Sequence, residues 1–237
     1  MERNIARILV SISIIQELHT MYTFKHNLIL ASSSPYRKQQ FAKLGQRFTT
    51  QSPDIDESRL HDETPSTLVE RLSYEKALAI QKSQPNSIII GSDQVAYIKE
   101  EKISNGLSTI NVLTKPRSVI NAISQLSACS GKSVRFVTGL CCLSPKHAPQ
   151  IISEYVDVKF RQLSAREIEN YINIEQPLDC AGSFKVEGLG ITLFDRVEST
   201  DPNTLIGLPL IALNKMLINI GYNILLAQQQ RTTETDC

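Results

Sequence analysis

Residues 88–90 are three consecutive isoleucines in the stretch "SIIIGSDQVAYI". Three β-branched apolar residues in a row suit a strand buried on both faces, inside a sheet rather than at its rim. Gly91, Ser92, Asp93 and Gln94 then interrupt the apolar character, which resumes at Val95. A carboxylate between two apolar runs is costly to desolvate unless something pairs with it. Two readings of Asp93 are open from the segment alone. It is either a carboxylate accepting backbone N–H bonds in a turn, or a working group at the C-terminal end of a buried strand, the edge where ligands collect in open α/β sheets.

The surrounding pattern alternates strands and helices. "NLILASSS" reads as an apolar strand, and "SPYRKQQFAKLG" as a helix with Pro35 in its first turn and Gly45 at its end. "TPSTLVERLSYEKALAIQKS" keeps the 3.6-residue apolar period behind a Thr64 cap, and "PRSVINAISQLSACSGK" is a third helix ended by Gly131. "SVRFVTGLCCLS" and "IISEYVDVKFRQL" read as a strand pair. Ser164 and Glu167 have capping-box spacing for a helix over "SAREIENYINI". "GLGITLFDRVES" reads as a last strand and "LIGLPLIALNKMLINIG" as a last helix. The expected fold class is α/β, with a mixed rather than all-parallel sheet flanked by helices. One domain is expected over residues 22–227, with residues 1–21 as an extension ahead of an internal start at Met21 and residues 228–237 as a frayed polar tail.

Composition excludes several classes. The formal net charge of +1 supplies no global field for nucleic acid or an anionic membrane, so any anion site must be local. The early apolar run, "NIARILVSISIIQELHTM", is too short and too charged to span a bilayer, and no later segment approaches that length. The five cysteines (129, 141, 142, 180 and 237) form no C-x-x-C pair, which points to free thiols and a cytoplasmic, reducing setting. The four histidines form no metal-binding motif.

Three features carry chemistry. "ASSSPYRK" sets hydroxyl residues at a helix N-terminus with Arg37 and Lys38 in the first turn, either an anion site or an ordinary cap. "DIDES", residues 54–58, clusters carboxylates that need a cation or basic side chains unless they are simply solvated. Asp93 is the third. Hard oxygen ligands from two acidic segments suit Mg²⁺ or Mn²⁺ better than zinc, and with the basic helix start they describe a phosphate-handling site.

These stretches, together with "LVERLSYEKA", "LTKPR", "PLDCAGSFKVEGLG" and "DPNTLIGLPLIAL", resemble the Maf family of nucleoside triphosphate pyrophosphatases in block order from about residue 27 to 221. The resemblance implies a Maf/ITPase-like nucleotide cleft, a divalent cation, hydrolysis of a nucleoside triphosphate to monophosphate and diphosphate, and a homodimer. Tyr36, Gln94 and Glu187 stand where members acting on dTTP and UTP have Arg, Thr and Gln, and the trio resembles the subfamily acting on N7-methyl-GTP. N7-methylguanine is cationic, so stacking on Tyr36 would gain a cation–π interaction of roughly 0.5–2 kcal/mol. Glu187 would accept from the N1–H and N2–H₂ edge of guanine, and Gln94 would complete the polar lining.

By the same resemblance, Ser32 and Arg37 bind phosphates, Lys76 and Lys115 serve the polyphosphate, and Glu57 and Asp93 hold the metal and the attacking water. The family labels this aspartate a proton acceptor; a carboxylate beside a divalent ion is a weak base at neutral pH, which favours orienting the water. Thr114 replaces the family's glycine before Lys115, and the segment ahead of it is longer than usual. Alternatives are a pyrophosphatase for another modified or canonical nucleotide, and a nucleotide-binding regulator of cell division without turnover.

Overall fold

The computed structural model describes residues 27–99 and 111–227. In chain order these form β1 (Leu28–Ala31), α1 (Pro35–Ala42), β2 (Phe48–Gln51), α2 (Pro65–Gln81), β3 (Ile88–Ile98), β4 (Asn111–Leu113), α3 (Val119–Cys129), β5 (Ser133–Ser144), β6 (His147–Phe160), α4 (Ala165–Glu175), β7 (Phe194–Ser199) and α5 (Leu210–Asn219). Short 3₁₀ turns occupy Ala181–Ser183, Leu189–Leu193 and Pro202–Ile206. Residues 1–21, expected as an extension, residues 228–237, expected as a tail, and the long segment before β4 as far as residue 110 lie outside the described residues.

The strands form one sheet in the order β2-β1-β3-β5-β6-β7, with β4 also paired to β3. β1 is parallel to β2 and β3, and every other pairing is antiparallel, so the sheet is mixed as expected. The three isoleucines behave as their composition demands. Ile88 and Ile90 pack with Leu213 and Leu217 of α5, while Ile89 packs on the other face with Ala77 and Ile80 of α2. A second core joins β5 and β6 to α3 and α4 through Phe136, Phe160, Leu126 and Ile172.

β3 is the element that places the site. β5 pairs with it along residues 89–98, so β1 and β4 must share its other edge. β1 pairs with residues 88–91 and β4 with residues 96–98. Between them the sheet is split, and among the described residues none pairs with 92–95 on that side. Asp93 therefore sits mid-strand, beside a gap left where β1 turns away into α1. It is neither in a turn nor at the end of its strand, a correction to both sequence readings; the crevice beyond the end of β1 still follows the α/β rule.

α2 crosses this strand at unusually close range. A Cβ on Gly91 would overlap the Ser73 carbonyl oxygen, and one on Gly139 would overlap that of Val69. Two expected elements differ in extent. The last strand begins only at Phe194, because the N–H groups of Gly188 and Gly190 both donate to the Lys185 carbonyl (3.3 and 3.0 Å) and curl the chain. The last helix begins only at Leu210, after Gly207 (φ 92°) and Pro209 break the apolar run. β2 and β4 carried no clear alternation and were not expected. No described helix is long and apolar enough to cross a membrane.

Candidate active site

The end of β1 and the start of α1 form the first wall. Ser34 caps α1, its Oγ accepting from Arg37 N at 3.3 Å, and buried Ser32 accepts from Ser34 N at 3.1 Å. Tyr36 and Arg37 therefore leave the first turn of a capped helix. Arg37 Nε donates to the Gly207 carbonyl at 2.9 Å, and among the described residues its two Nη groups have no hydrogen-bond partner. Desolvation lowers the Arg37 pKa, and the charges of Asp93 and Glu57 act against that fall.

The second wall is α2 with the loop before it. Lys76 lies on the buried face of α2, 6% exposed. Its Nζ is 2.6 Å from Asp93 Oδ1 and 2.7 Å from Glu57 Oε1. Three charged groups from three segments thus meet at one point. Burial raises the Glu57 pKa, but the Lys76 hydrogen bond and the charges of Lys76, Lys115 and Arg37 outweigh it and hold the carboxyl below its usual range. Arg71, a residue that sequence reasoning missed, clamps the Glu57 loop. Its guanidinium reaches both oxygens of Glu63 (2.5 and 2.9 Å), Glu75 Oε2 (3.0 Å) and the Ser58 carbonyl (3.0 Å).

Lys115 follows β4 and is exposed. Its neighbours are fixed: Gln125 Nε2 donates to the Thr114 carbonyl (3.0 Å), Asn121 Nδ2 to that of Pro116 (3.0 Å), and Arg117 N to that of Leu178 (3.1 Å). Thr114 is not in the left-handed region, so this backbone does not need a glycine there.

The far end holds Tyr36, Cys180 and Glu187. The Cys180 thiol donates to Tyr36 Oη at 3.8 Å, and its own pKa is pushed up to about 12, chiefly by desolvation. Burial, the Cys180 hydrogen bond and the charges of Asp179 and Glu187 raise the Tyr36 pKa, so the ring stays a neutral phenol. Four T-shaped or edge contacts among Phe136, Phe160, Phe184 and Phe194, with centroids 5.0–5.9 Å apart, anchor this segment to the sheet.

One cavity of about 1040 Å³ is lined by all nine residues singled out from the sequence: Ser32, Tyr36, Arg37, Glu57, Lys76, Asp93, Gln94, Lys115 and Glu187. Cations and carboxylates occupy one end, and an aromatic ring with a carboxylate the other. Gln94 lines the same cavity, its Nε2 held by Thr138 Oγ1 (2.9 Å) and the carbonyls of Thr204 (2.9 Å) and Leu205 (3.3 Å). The described residues contain no cluster of three metal-ligating side chains. Glu57 and Asp93 do converge on a single point, the Lys76 ammonium. Two hard carboxylates fit a Mg²⁺- or Mn²⁺-type ion that draws its remaining ligands from phosphate and water. The four described cysteines are free, with Cys141 and Cys142 buried in β5.

The family model described as "Maf-like protein" matches residues 27–220. The 7-methyl-GTP pyrophosphatase of Alcanivorax borkumensis is 52% identical over 198 residues, covering 83% of this chain and 95% of its own. Those of Colwellia psychrerythraea (48% over 206 residues; 86% and 98% covered) and Nitrosococcus oceani (44% over 199 residues; 84% and 95%) follow the same pattern. Among solved structures, a HAM1 protein from Coxiella burnetii covers 68% of this chain and 88% of its own, at 14% identity and a TM-score of 0.42.

Proposed function

The chain belongs to the Maf family, and on that premise we propose that it is a 7-methyl-GTP pyrophosphatase, releasing 7-methyl-GMP and diphosphate. The observation that carries this reading is the meeting of Glu57 and Asp93 on Lys76 in a cavity whose other end holds Tyr36 and Glu187. The names of the curated relatives support the same substrate.

In this mechanism Arg37 grips phosphate oxygens as a planar fork, while Lys76 and Lys115 act as point charges along the polyphosphate. Ser32 and the capped start of α1 offer hydroxyl and N–H donors to the same groups. Glu57 and Asp93 would hold a divalent cation, which when bound supplies charge neutralisation and an acidified water. Asp93 orients the water that attacks the α-phosphorus in line with the leaving diphosphate. Tyr36 stacks on the cationic base, and Glu187 accepts from its N–H edge.

Incubating the protein with 7-methyl-GTP and Mg²⁺ or Mn²⁺ tests the reaction class. The expected products are 7-methyl-GMP and diphosphate in equal amounts. Orthophosphate as product, or tight nucleotide binding without turnover, would contradict the proposal, and the latter would favour a regulatory role. A homodimer belongs to the same reading, and sedimentation equilibrium should then give twice the 26.5 kDa chain mass.

A further inference from the structure

We propose that Ser92 and Thr138 are positioning residues for Arg37, acting through the turn that carries the Gly207 carbonyl. The inference rests on the phosphate role given to Arg37 above and adds what holds that side chain in place.

The geometry starts from the period of β3. Asp93 faces α2 and Lys76, so its neighbours Ser92 and Gln94 face the other way, onto the Pro202–Ile206 turn. Ser92 Oγ lies 2.8 Å from the Gly207 carbonyl and 2.9 Å from that of Gly139. The same Gly207 carbonyl accepts from Arg37 Nε at 2.9 Å. A few residues earlier, the Thr204 carbonyl accepts from both Gln94 Nε2 (2.9 Å) and Thr138 Oγ1 (3.0 Å). Asp201 closes the turn from its far side, accepting from Asn203 N (2.9 Å) and from Ile211 N at the start of α5 (2.6 Å). Gly207 itself leaves no slack: its φ is 92°, and a Cβ there would lie 3.2 Å from Arg37 Nε.

Ser92 and Thr138 are completely buried, and neither lines the cavity. They cannot touch a nucleotide. Their hydroxyls act on the turn, and the turn acts on the guanidinium by fixing the one N–H that does not face phosphate. The carboxylate at Asp93 and the cation at Arg37 are thereby set from one strand, on its two faces. Gln94 braces the same turn with its amide nitrogen, held to the Thr204 and Leu205 carbonyls, but unlike the two hydroxyls it also lines the cavity.

A double-mutant cycle on tripolyphosphate, which carries no base, tests this by calorimetry. Thr138→Val should weaken tripolyphosphate binding roughly 3- to 10-fold, the range of one lost hydrogen bond. In an Arg37→Ala background the same change should cost less than about twofold, because coupled residues are not additive. Ser92→Ala, run in the same cycle, should behave alike, with thermal unfolding showing that each variant folds. The proposal is overturned if folded Thr138→Val and Ser92→Ala bind tripolyphosphate as the parent does, or lose as much affinity without Arg37 as with it. Failure to turn over any nucleotide would count against the proposed function instead, since the binding cycle needs no turnover.

Discussion

Lys76 holds two carboxylates with one buried ammonium, and removing a partner from such a group changes chemistry and stability by different amounts. Asp93→Asn keeps the Lys76–Glu57 contact, so unfolding should move little, while turnover should fall by about 10²–10⁴ on loss of the water-orienting carboxylate. A folded variant with a near-normal rate would remove Asp93 from the mechanism. Glu63 gives a pH prediction at the same scale. The Arg71 hydrogen bond leads the effects that hold its pKa at about 2, against an ordinary 4.5. A depressed folded pKa gives stabilisation that is complete above the unfolded value and is lost as pH falls through the folded one. The loop bearing Glu57 should therefore stay clamped above about pH 4.5 and loosen between there and pH 2, readable as accelerated amide exchange over residues 52–64. Asp93, Lys76 and Arg37 were legible in the sequence because their neighbours form recognisable blocks. Ser92 and Thr138 were not, because what matters about each is its contact with a distant segment: the Thr138–Thr204 bond spans 66 positions. Arg71 was not, because its partners Ser58 and Glu63, though only 13 and 8 positions away, lie in an irregular loop whose path no periodicity sets.

At the scale of elements, α2 and β3 form the rigid frame. α2 reaches the sheet over two residues with no side chain, Gly91 of β3 and Gly139 of the neighbouring β5, and its backbone passes directly over both. Gly139→Ala forces the helix away and should cost about 1–3 kcal/mol of stability by overpacking. Because Lys76 rides on that helix, kcat should fall as well, beyond what the unfolded fraction explains. Thermal unfolding and kcat measured on the same sample decide this, and a normal kcat in a destabilised protein would detach the helix position from catalysis. The long elements could be read from period and caps, the Ser164–Glu167 capping box included. The short ones could not: β2 has two half-buried and two exposed residues, and the Leu189–Leu193 turn has a strand-like composition curled by backbone bonds to Lys185.

Over the whole molecule, the split edge of the sheet explains why charged groups can sit inside an apolar frame. β1 leaves β3 before Asp93 and β4 joins it after Val95, so the cavity enters the sheet where one edge of β3 has no strand partner among the described residues. One end gathers Arg37, Lys76, Lys115, Glu57 and Asp93, and the other offers a neutral phenol ring beside carboxylates. That polarity matches a molecule with a polyanionic tail and a cationic base, and methylation at N7 is what makes guanine cationic. The most direct measurement is kcat/KM for diphosphate release from 7-methyl-GTP, GTP, UTP and dTTP under one set of conditions. The account predicts 7-methyl-GTP first, ahead of GTP by roughly 2- to 30-fold from the cation–π interaction alone. A preference for UTP or dTTP, or equal rates with methylated and unmethylated GTP, would contradict it.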